Sequence, residues 1–122
     1  MAEVIQVLVV DETADGRGRL RRLLGGKDVN VCGEADLGAA AVAAAQEYQP
    51  NVIVLSLEKP IARGLRTIEA ITASMTDRPV VVVSSLGDRD TMRQAMLAGA
   101  RDYLAEPYEP EDLAKAVRAA YA

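Results

Sequence analysis

The 122-residue chain is long enough for one domain, and 50% hydrophobic with 26% charged residues is the composition of a folded protein rather than a disordered one. A net charge of −4 argues against direct binding to nucleic acid, and a single cysteine with no histidine argues against a zinc site. The apolar run at residues 4–10 is too short to span a membrane, and no signal peptide is apparent, so a cytoplasmic protein is expected.

Hydrophobic patterning predicts five strands that alternate with five helices. The strands are predicted at residues 4–10, 29–32, 52–55, 80–83 and 101–105, and the helices at 13–24, 38–47, 65–75, 88–98 and 110–120. Thr13 or Asp15 is expected to cap the first helix and Asp88 the fourth. Right-handed crossovers place the helices on both faces of a parallel sheet. Five such units predict an open, doubly wound α/β sheet rather than an eight-unit barrel.

The third predicted strand organises the chain. Residues 52–55 are apolar throughout, which is typical of a strand buried on both faces, and the small polar residue Ser56 follows them. In open α/β sheets, ligands and chemistry gather at the carboxyl ends of the strands. Position 56 is therefore the expected reactive position, and a neutral serine occupies it.

Five segments carry a family resemblance by their order and spacing. They are VLVVDE at 7–12, VCGEAD at 31–36, Pro60 with Gly64 beyond it, PVVVVSS at 79–85 and AGARDYLAEPY at 98–108. With these segments the whole chain resembles the CheY-like receiver domain of bacterial response regulators, which belong to two-component phosphorelay signalling. The resemblance implies a flavodoxin-like sheet in the order 2-1-3-4-5, with its site at the carboxyl ends of strands one, three, four and five.

The resemblance also assigns roles to individual positions. Family members use two acids after the first strand to hold a divalent cation, and an aspartate after the third strand to accept the phosphoryl group. They use a serine or threonine to bind a phosphoryl oxygen, a lysine to pair with its charge, and an aromatic side chain that changes rotamer. In that order, the matching positions here are Asp11 and Glu12, Ser56, Ser84, Glu106 and Tyr103. Ser56 thus stands in the acceptor's place, and Glu106 in the lysine's.

These two replacements are expected to abolish phosphotransfer by the family mechanism. The hydroxyl of Ser56 is protonated and needs a base to attack, and it is a poorer magnesium ligand than a carboxylate. Glu106 puts an anion where phosphoryl charge has to be stabilised. We expect no catalytic residue, no cofactor, and at most a weak or vestigial Mg²⁺ site at Asp11 and Glu12. With no lysine to balance the acids, Glu106 is expected to turn out to solvent.

The function predicted from these features is that of a degenerate receiver domain that binds proteins independently of phosphorylation. Its partner is expected to be another protein or a fused output domain, not nucleic acid or a membrane. The fourth helix, fifth strand and fifth helix carry charges of both signs, which suit a symmetric homodimer. These charged residues are Arg89, Asp90, Arg93, Arg101, Asp102, Glu111, Asp112, Lys115 and Arg118.

Residues 1–122 are predicted to be a single domain of a longer protein. Residues 84–113 resemble the receiver-like amino-terminal domains of pilus-assembly ATPases of the CpaE/TadZ group. One alternative is a switch controlled by modification of Ser56 or by cation binding in the acidic pocket. Another is a small flavodoxin-like nucleotide-binding protein, which the lack of a glycine-rich phosphate loop disfavours. The arginines at 17, 19, 21 and 22 are expected to form a solvated helix face.

Overall fold

The computed structural model describes residues 3–26 and 28–122, and in these ranges five strands alternate with five helices, as predicted. The strands are β1 (Ile5–Val10), β2 (Val29–Ala35), β3 (Val52–Ser56), β4 (Val80–Ser84) and β5 (Asp102–Ala105). The helices are α1 (Ala14–Leu23), α2 (Ala39–Tyr48), α3 (Ala62–Ser74), α4 (Arg89–Ala98) and α5 (Pro110–Tyr121).

The strands form one parallel sheet in the order β2-β1-β3-β4-β5, which confirms the predicted doubly wound topology. The register aligns the ends of the inner strands: Val10 lies opposite Leu55, and Ser56 lies opposite Val83. Ser84 in turn lies opposite Ala105. The residues that follow β1, β3, β4 and β5 therefore meet at one edge of the sheet.

Helices cover both faces of the sheet, and β3 is buried between them. Residues 52–55 have no exposed surface. Ile53 and Leu55 pack into the cluster that contains residues of α2, α3 and α4, whereas Val52 and Val54 pack into the cluster with α1 and α5. Burial on both faces explains why this strand is apolar at every position.

Two elements are longer than their patterns predict. β2 continues three residues past Cys32 because Gly33 and Glu34, although they interrupt the apolar run, still pair with β1 after a register shift. α3 begins at Ala62 rather than Leu65, since no side-chain cap marks its start. Gly64, in the first turn of α3, is a residue that favours a loop over a helix and so conceals this start.

The helix caps follow the prediction. The hydroxyl of Thr13 accepts a hydrogen bond from the N–H of Gly16 at 2.9 Å and begins α1. The carboxylate of Asp88 accepts the N–H of Thr91 at 3.0 Å and begins α4, and this bond holds the pKa of Asp88 below its usual range. Among the helices described, none combines the length and the hydropathy required to cross a bilayer.

Candidate functional site

A cleft of about 270 Å³ opens at the carboxyl edge of the sheet. Five of the six residues predicted for the site, from four separate parts of the chain, line it: Asp11, Glu12, Ser56, Ser84 and Glu106. Tyr103 is not among the lining residues but hydrogen-bonds the loop beside the cleft. The sheet register explains this convergence, because the lining residues lie at or just beyond the ends of aligned strands.

Asp11 takes part in the start of α1. One carboxylate oxygen accepts hydrogen bonds from the N–H of Thr13 at 2.8 Å and from its hydroxyl at 3.0 Å. A Cβ atom at Gly16 would collide with this carboxylate, so the glycine that weakens the first turn of α1 also makes room for Asp11. Asp11 is therefore held against the helix by local contacts.

Two of the acids that line the cleft, Glu12 and Glu106, pair with arginines. Arg63 of α3 places Nη1 3.6 Å from a carboxylate oxygen of Glu12 and 3.6 Å from one of Asp36, and Arg19 of α1 places Nη1 3.4 Å from Glu106. The expected lack of a balancing cation is wrong for Glu12 and Glu106, because α1 and α3 bring guanidinium groups to the rim. Glu106 is exposed to solvent, as expected, although it still lines the cleft.

The predicted solvated arginine face of α1 is exposed at residues 19, 21 and 22, but it also makes contacts with other elements. Arg21 donates to the carboxylate of Glu34 at 2.6 Å, and Arg17 lies 3.7 Å from the same carboxylate. Arg17 further donates to the carbonyl oxygen of Asp11 at 2.7 Å. This face therefore ties α1 to β2 and to the end of β1.

The donor groups of the cleft do not form a metal cluster. Within residues 3–26 and 28–122, no three histidine, cysteine, aspartate or glutamate side chains are grouped closely enough to hold a metal ion. Asp11 and Glu12 line the cleft together with Ser56, and their bonds to Thr13 and Arg63 compete with a cation. A weak magnesium site at Asp11 and Glu12 remains a prediction.

The hydroxyl of Ser84 is buried, with 1% of the residue exposed. It donates to the carbonyl oxygen of Leu57 at 2.5 Å and accepts the N–H of Leu86 at 2.9 Å. The next residue, Ser85, donates its N–H to a carboxylate oxygen of Glu58 at 2.9 Å and its hydroxyl to the other oxygen. The end of β4 is thus hydrogen-bonded to the end of β3.

Tyr103 completes this side of the cleft. Its hydroxyl donates to the carbonyl oxygen of Leu86 at 2.6 Å. Burial raises the pKa of the Tyr103 phenol above its ordinary value, and the nearby charges of Asp88 and Glu58 raise it further. The phenol therefore remains a proton donor at neutral pH, and Tyr103 has a hydrogen-bonding role in this structure.

Sequence comparison connects this geometry to a known family. The family model described as the response regulator receiver domain matches residues 7–118. The chain belongs to this family. Receiver domains are signalling modules of two-component systems. The predicted family and the predicted fold are therefore confirmed.

Relatives of this receiver domain include both short and long proteins. The chemotaxis protein CheY of Thermotoga maritima is 28% identical over 112 residues, which cover 92% of this chain and 93% of that protein. The transcriptional regulatory protein PrrA of Mycobacterium tuberculosis is 35% identical over 114 residues, which cover 93% of this chain but only 48% of PrrA.

A solved structure supports the same relationship. The response regulator domain of Thermotoga maritima CheB superposes with a TM-score of 0.85 at 30% identity, covering 98% of this receiver and 97% of that chain. The superposition therefore covers nearly the whole receiver.

Sequence reasoning missed three charged residues that line the receiver's cleft, Arg19, Arg63 and Glu58, and also Ser85, which bonds Glu58 beside it. The two arginines lie on helices whose rotation no local pattern reveals, and Arg19 meets an acid 87 residues away. Glu58 and Ser85 each follow a predicted strand end closely, and that position was the available signal.

Proposed function

We propose that this receiver domain does not form an acyl phosphate and acts as a phosphorylation-independent protein-interaction module. The observation that carries the proposal is the pair of side chains at the two demanding positions. Ser56, at the end of β3, offers a neutral hydroxyl, and Glu106 offers a carboxylate that pairs with Arg19. The cleft therefore has neither an ionised acceptor nor a free cation at the position after β5.

The chemistry of the remaining groups supports this proposal. A serine attacks a phosphoryl donor only if a base removes its proton, and the nearby carboxylates of Glu12 and Asp11 are bound to Arg63 and Thr13. A phosphoryl group on Ser56 would also meet the charge of Glu106 without a dedicated counter-ion. Both the attack and the stabilisation of its product are thereby disfavoured.

Intact-mass spectrometry after incubation with acetyl phosphate and magnesium tests the proposal. We expect no mass gain, whereas a receiver that has the acceptor aspartate, treated in parallel, should gain one phosphoryl group. A gain in this protein that maps to Ser56, Asp11 or Glu12 would contradict the proposal. Treatment with hydroxylamine distinguishes a phosphoserine ester from an acyl phosphate, because hydroxylamine cleaves only the acyl phosphate.

We further propose that α4, β5 and α5 form the interaction face and that a second copy of the chain is its first candidate partner. Met92 and Met96 of α4 are exposed, at 36% and 43%. Arg93 lies beside them on α4, and α5 carries the exposed acid Glu111. A two-fold axis between the copies would bring the basic part of α4 against the acidic start of α5.

Sedimentation velocity tests this dimer. Arg93→Glu should shift the population to monomer, whereas Arg66→Glu, the same change on exposed α3, should not. A wild-type protein that is monomeric at high concentration would exclude the homodimer and leave a different protein or an output domain as the partner. The mass experiment does not depend on this result.

We also propose that the domain belongs to a longer protein and that a pilus-assembly ATPase of the CpaE/TadZ group is one candidate. The support is the resemblance of residues 84–113 to such domains, together with relatives such as PrrA in which the match covers less than half of the protein. The sequence of the full gene product beyond Ala122 tests both statements. An ATPase domain there would support the second, and a different output domain would exclude it.

A further inference from the structure

We propose that Glu58 is a built-in anionic anchor that holds the loop between β4 and α4 in one conformation. The loop consists of residues 85–88 and ends at Asp88, the cap of α4. Glu58 belongs to a different segment, just after β3. The inference concerns the loop itself and does not require the domain to be free of phosphoryl chemistry.

The anchor consists of two hydrogen bonds to one carboxylate. The N–H of Ser85 donates to Oε2 of Glu58 at 2.9 Å, and the hydroxyl of Ser85 donates to Oε1. Both oxygens are used, so the carboxylate fixes the position and the orientation of Ser85 together. Hydrogen bonds to a charged acceptor are stronger than those between neutral groups.

Neighbouring contacts hold the loop from the other side. Ser84 links the carbonyl of Leu57 to the N–H of Leu86, and the carbonyl of Leu86 accepts the hydroxyl of Tyr103. Three consecutive residues at the end of β4 are thus bonded to groups outside the loop. The family resemblance places a phosphoryl contact at Ser84, directly before this anchor, and here the chain itself places a carboxylate against the next residue, Ser85.

The anchor affects α4 because the loop leads directly into its first turn. Asp88 accepts both the N–H and the hydroxyl of Thr91, which ties the loop's last residue to the helix. A loop in one conformation presents the exposed side chains Met92 and Met96 in one orientation. Glu58 therefore acts on the α4 surface without lying on it, as a positioning residue.

Amide hydrogen exchange measured residue by residue by NMR tests the proposal. Glu58→Ala should raise the exchange rates of the Ser85 and Leu86 amides about threefold to tenfold, since a hydrogen bond to an exposed charged group has a modest net value. Glu69→Ala removes the same side chain from the exposed face of α3 and should leave these rates unchanged. Unchanged rates in Glu58→Ala, with the fold intact by circular dichroism, would overturn the proposal.

Two more variants keep the test decisive if Glu58→Ala folds poorly. Glu58→Gln preserves the shape of the side chain without its charge and should raise the same rates by a smaller factor. Ser85→Ala removes one donor, and its effect on the Leu86 amide should not add to that of Glu58→Gln if both act on one anchor. Full additivity of the two effects would show that the residues act independently and would also overturn the proposal.

Discussion

The two sides of the cleft are held together by different forces. On the β4 side, Ser84 is buried and makes short hydrogen bonds to Leu57 and Leu86. At the rim, Arg19 and Arg63 approach their carboxylates at 3.4 to 3.6 Å, with side chains about half exposed. Buried hydrogen bonds are costly to lose, whereas exposed ion pairs contribute little to stability. The β4 side therefore determines geometry, and the rim mainly neutralises charge.

Restoring the two family residues should have the largest effect, because it should allow the cleft to be phosphorylated. Ser56→Asp combined with Glu106→Lys would supply an ionised acceptor and a cation, and we expect phosphorylation by acetyl phosphate with magnesium to become measurable. The β4 side already presents Ser84 and needs no change. Intact-mass spectrometry of the double variant and of each single variant checks this expectation.

The single variants are the controls for that experiment. Ser56→Asp leaves Glu106 beside the new carboxylate, and Glu106→Lys leaves no acceptor, so each alone should stay unmodified. Glu106→Lys also places a second cation beside Arg19. Arg19→Gln added to the double variant should therefore not lower the yield of phosphorylated protein. A double variant that remains inert would mean that the pocket has lost more than these two groups.

Removing the buried hydroxyl should produce the largest loss of stability. Ser84→Ala leaves the carbonyl of Leu57 and the N–H of Leu86 without this partner, which we expect to lower the free energy of unfolding by about 1–3 kcal/mol. Urea denaturation measures the change. Ser74→Ala, on the exposed end of α3, should change stability by less than about 0.5 kcal/mol. Equal effects of the two changes would contradict the claim that the buried hydrogen bonds of Ser84 stabilise the β4 side.

The sequence was sufficient for the sheet and for half of the cleft. Apolar runs such as residues 52–55 predicted each strand, and the parallel topology followed from the alternation with helices. The positions of Asp11, Ser56 and Ser84 followed because strand ends share one edge. The partners of the acids did not follow, since the pairing of Arg19 with Glu106 depends on how α1 packs against a segment 87 residues away.

A smaller loss is expected from the phenol of Tyr103. Tyr103→Phe removes one hydrogen bond to Leu86, at a cost of about 1 kcal/mol in the free energy of unfolding. Because the pKa of this phenol is raised in the fold, its contribution is complete below the unfolded pKa of about 10 and is lost as the pH rises above it. Urea denaturation at pH 8 and pH 11 should therefore show a smaller decline for Tyr103→Phe than for the wild type. An identical decline in the two proteins would show that ionisation of the Tyr103 phenol does not lower the free energy of unfolding.

The rim should respond least. Arg63→Gln breaks half-exposed ion pairs with Glu12 and Asp36, and we expect the free energy of unfolding to fall by less than about 1 kcal/mol. Millimolar magnesium should raise the melting temperature of the wild type by less than about 2 °C, because Ser56 adds only a neutral ligand and Arg63 already neutralises Glu12.

The effect of Arg63→Gln and the effect of magnesium should depend on each other, and this dependence tests the role of the rim most sharply. Removing the guanidinium of Arg63 leaves Glu12 and Asp36 without their shared cation, so Arg63→Gln should respond to magnesium more than the wild type does. Arg66→Gln, three residues along α3 from Arg63 and also exposed, should behave as the wild type. If the wild type instead melts several degrees higher with magnesium, and Glu12→Ala abolishes the rise, then the cleft binds a cation despite Arg63. The rim would then be a ligand site rather than a set of internal ion pairs.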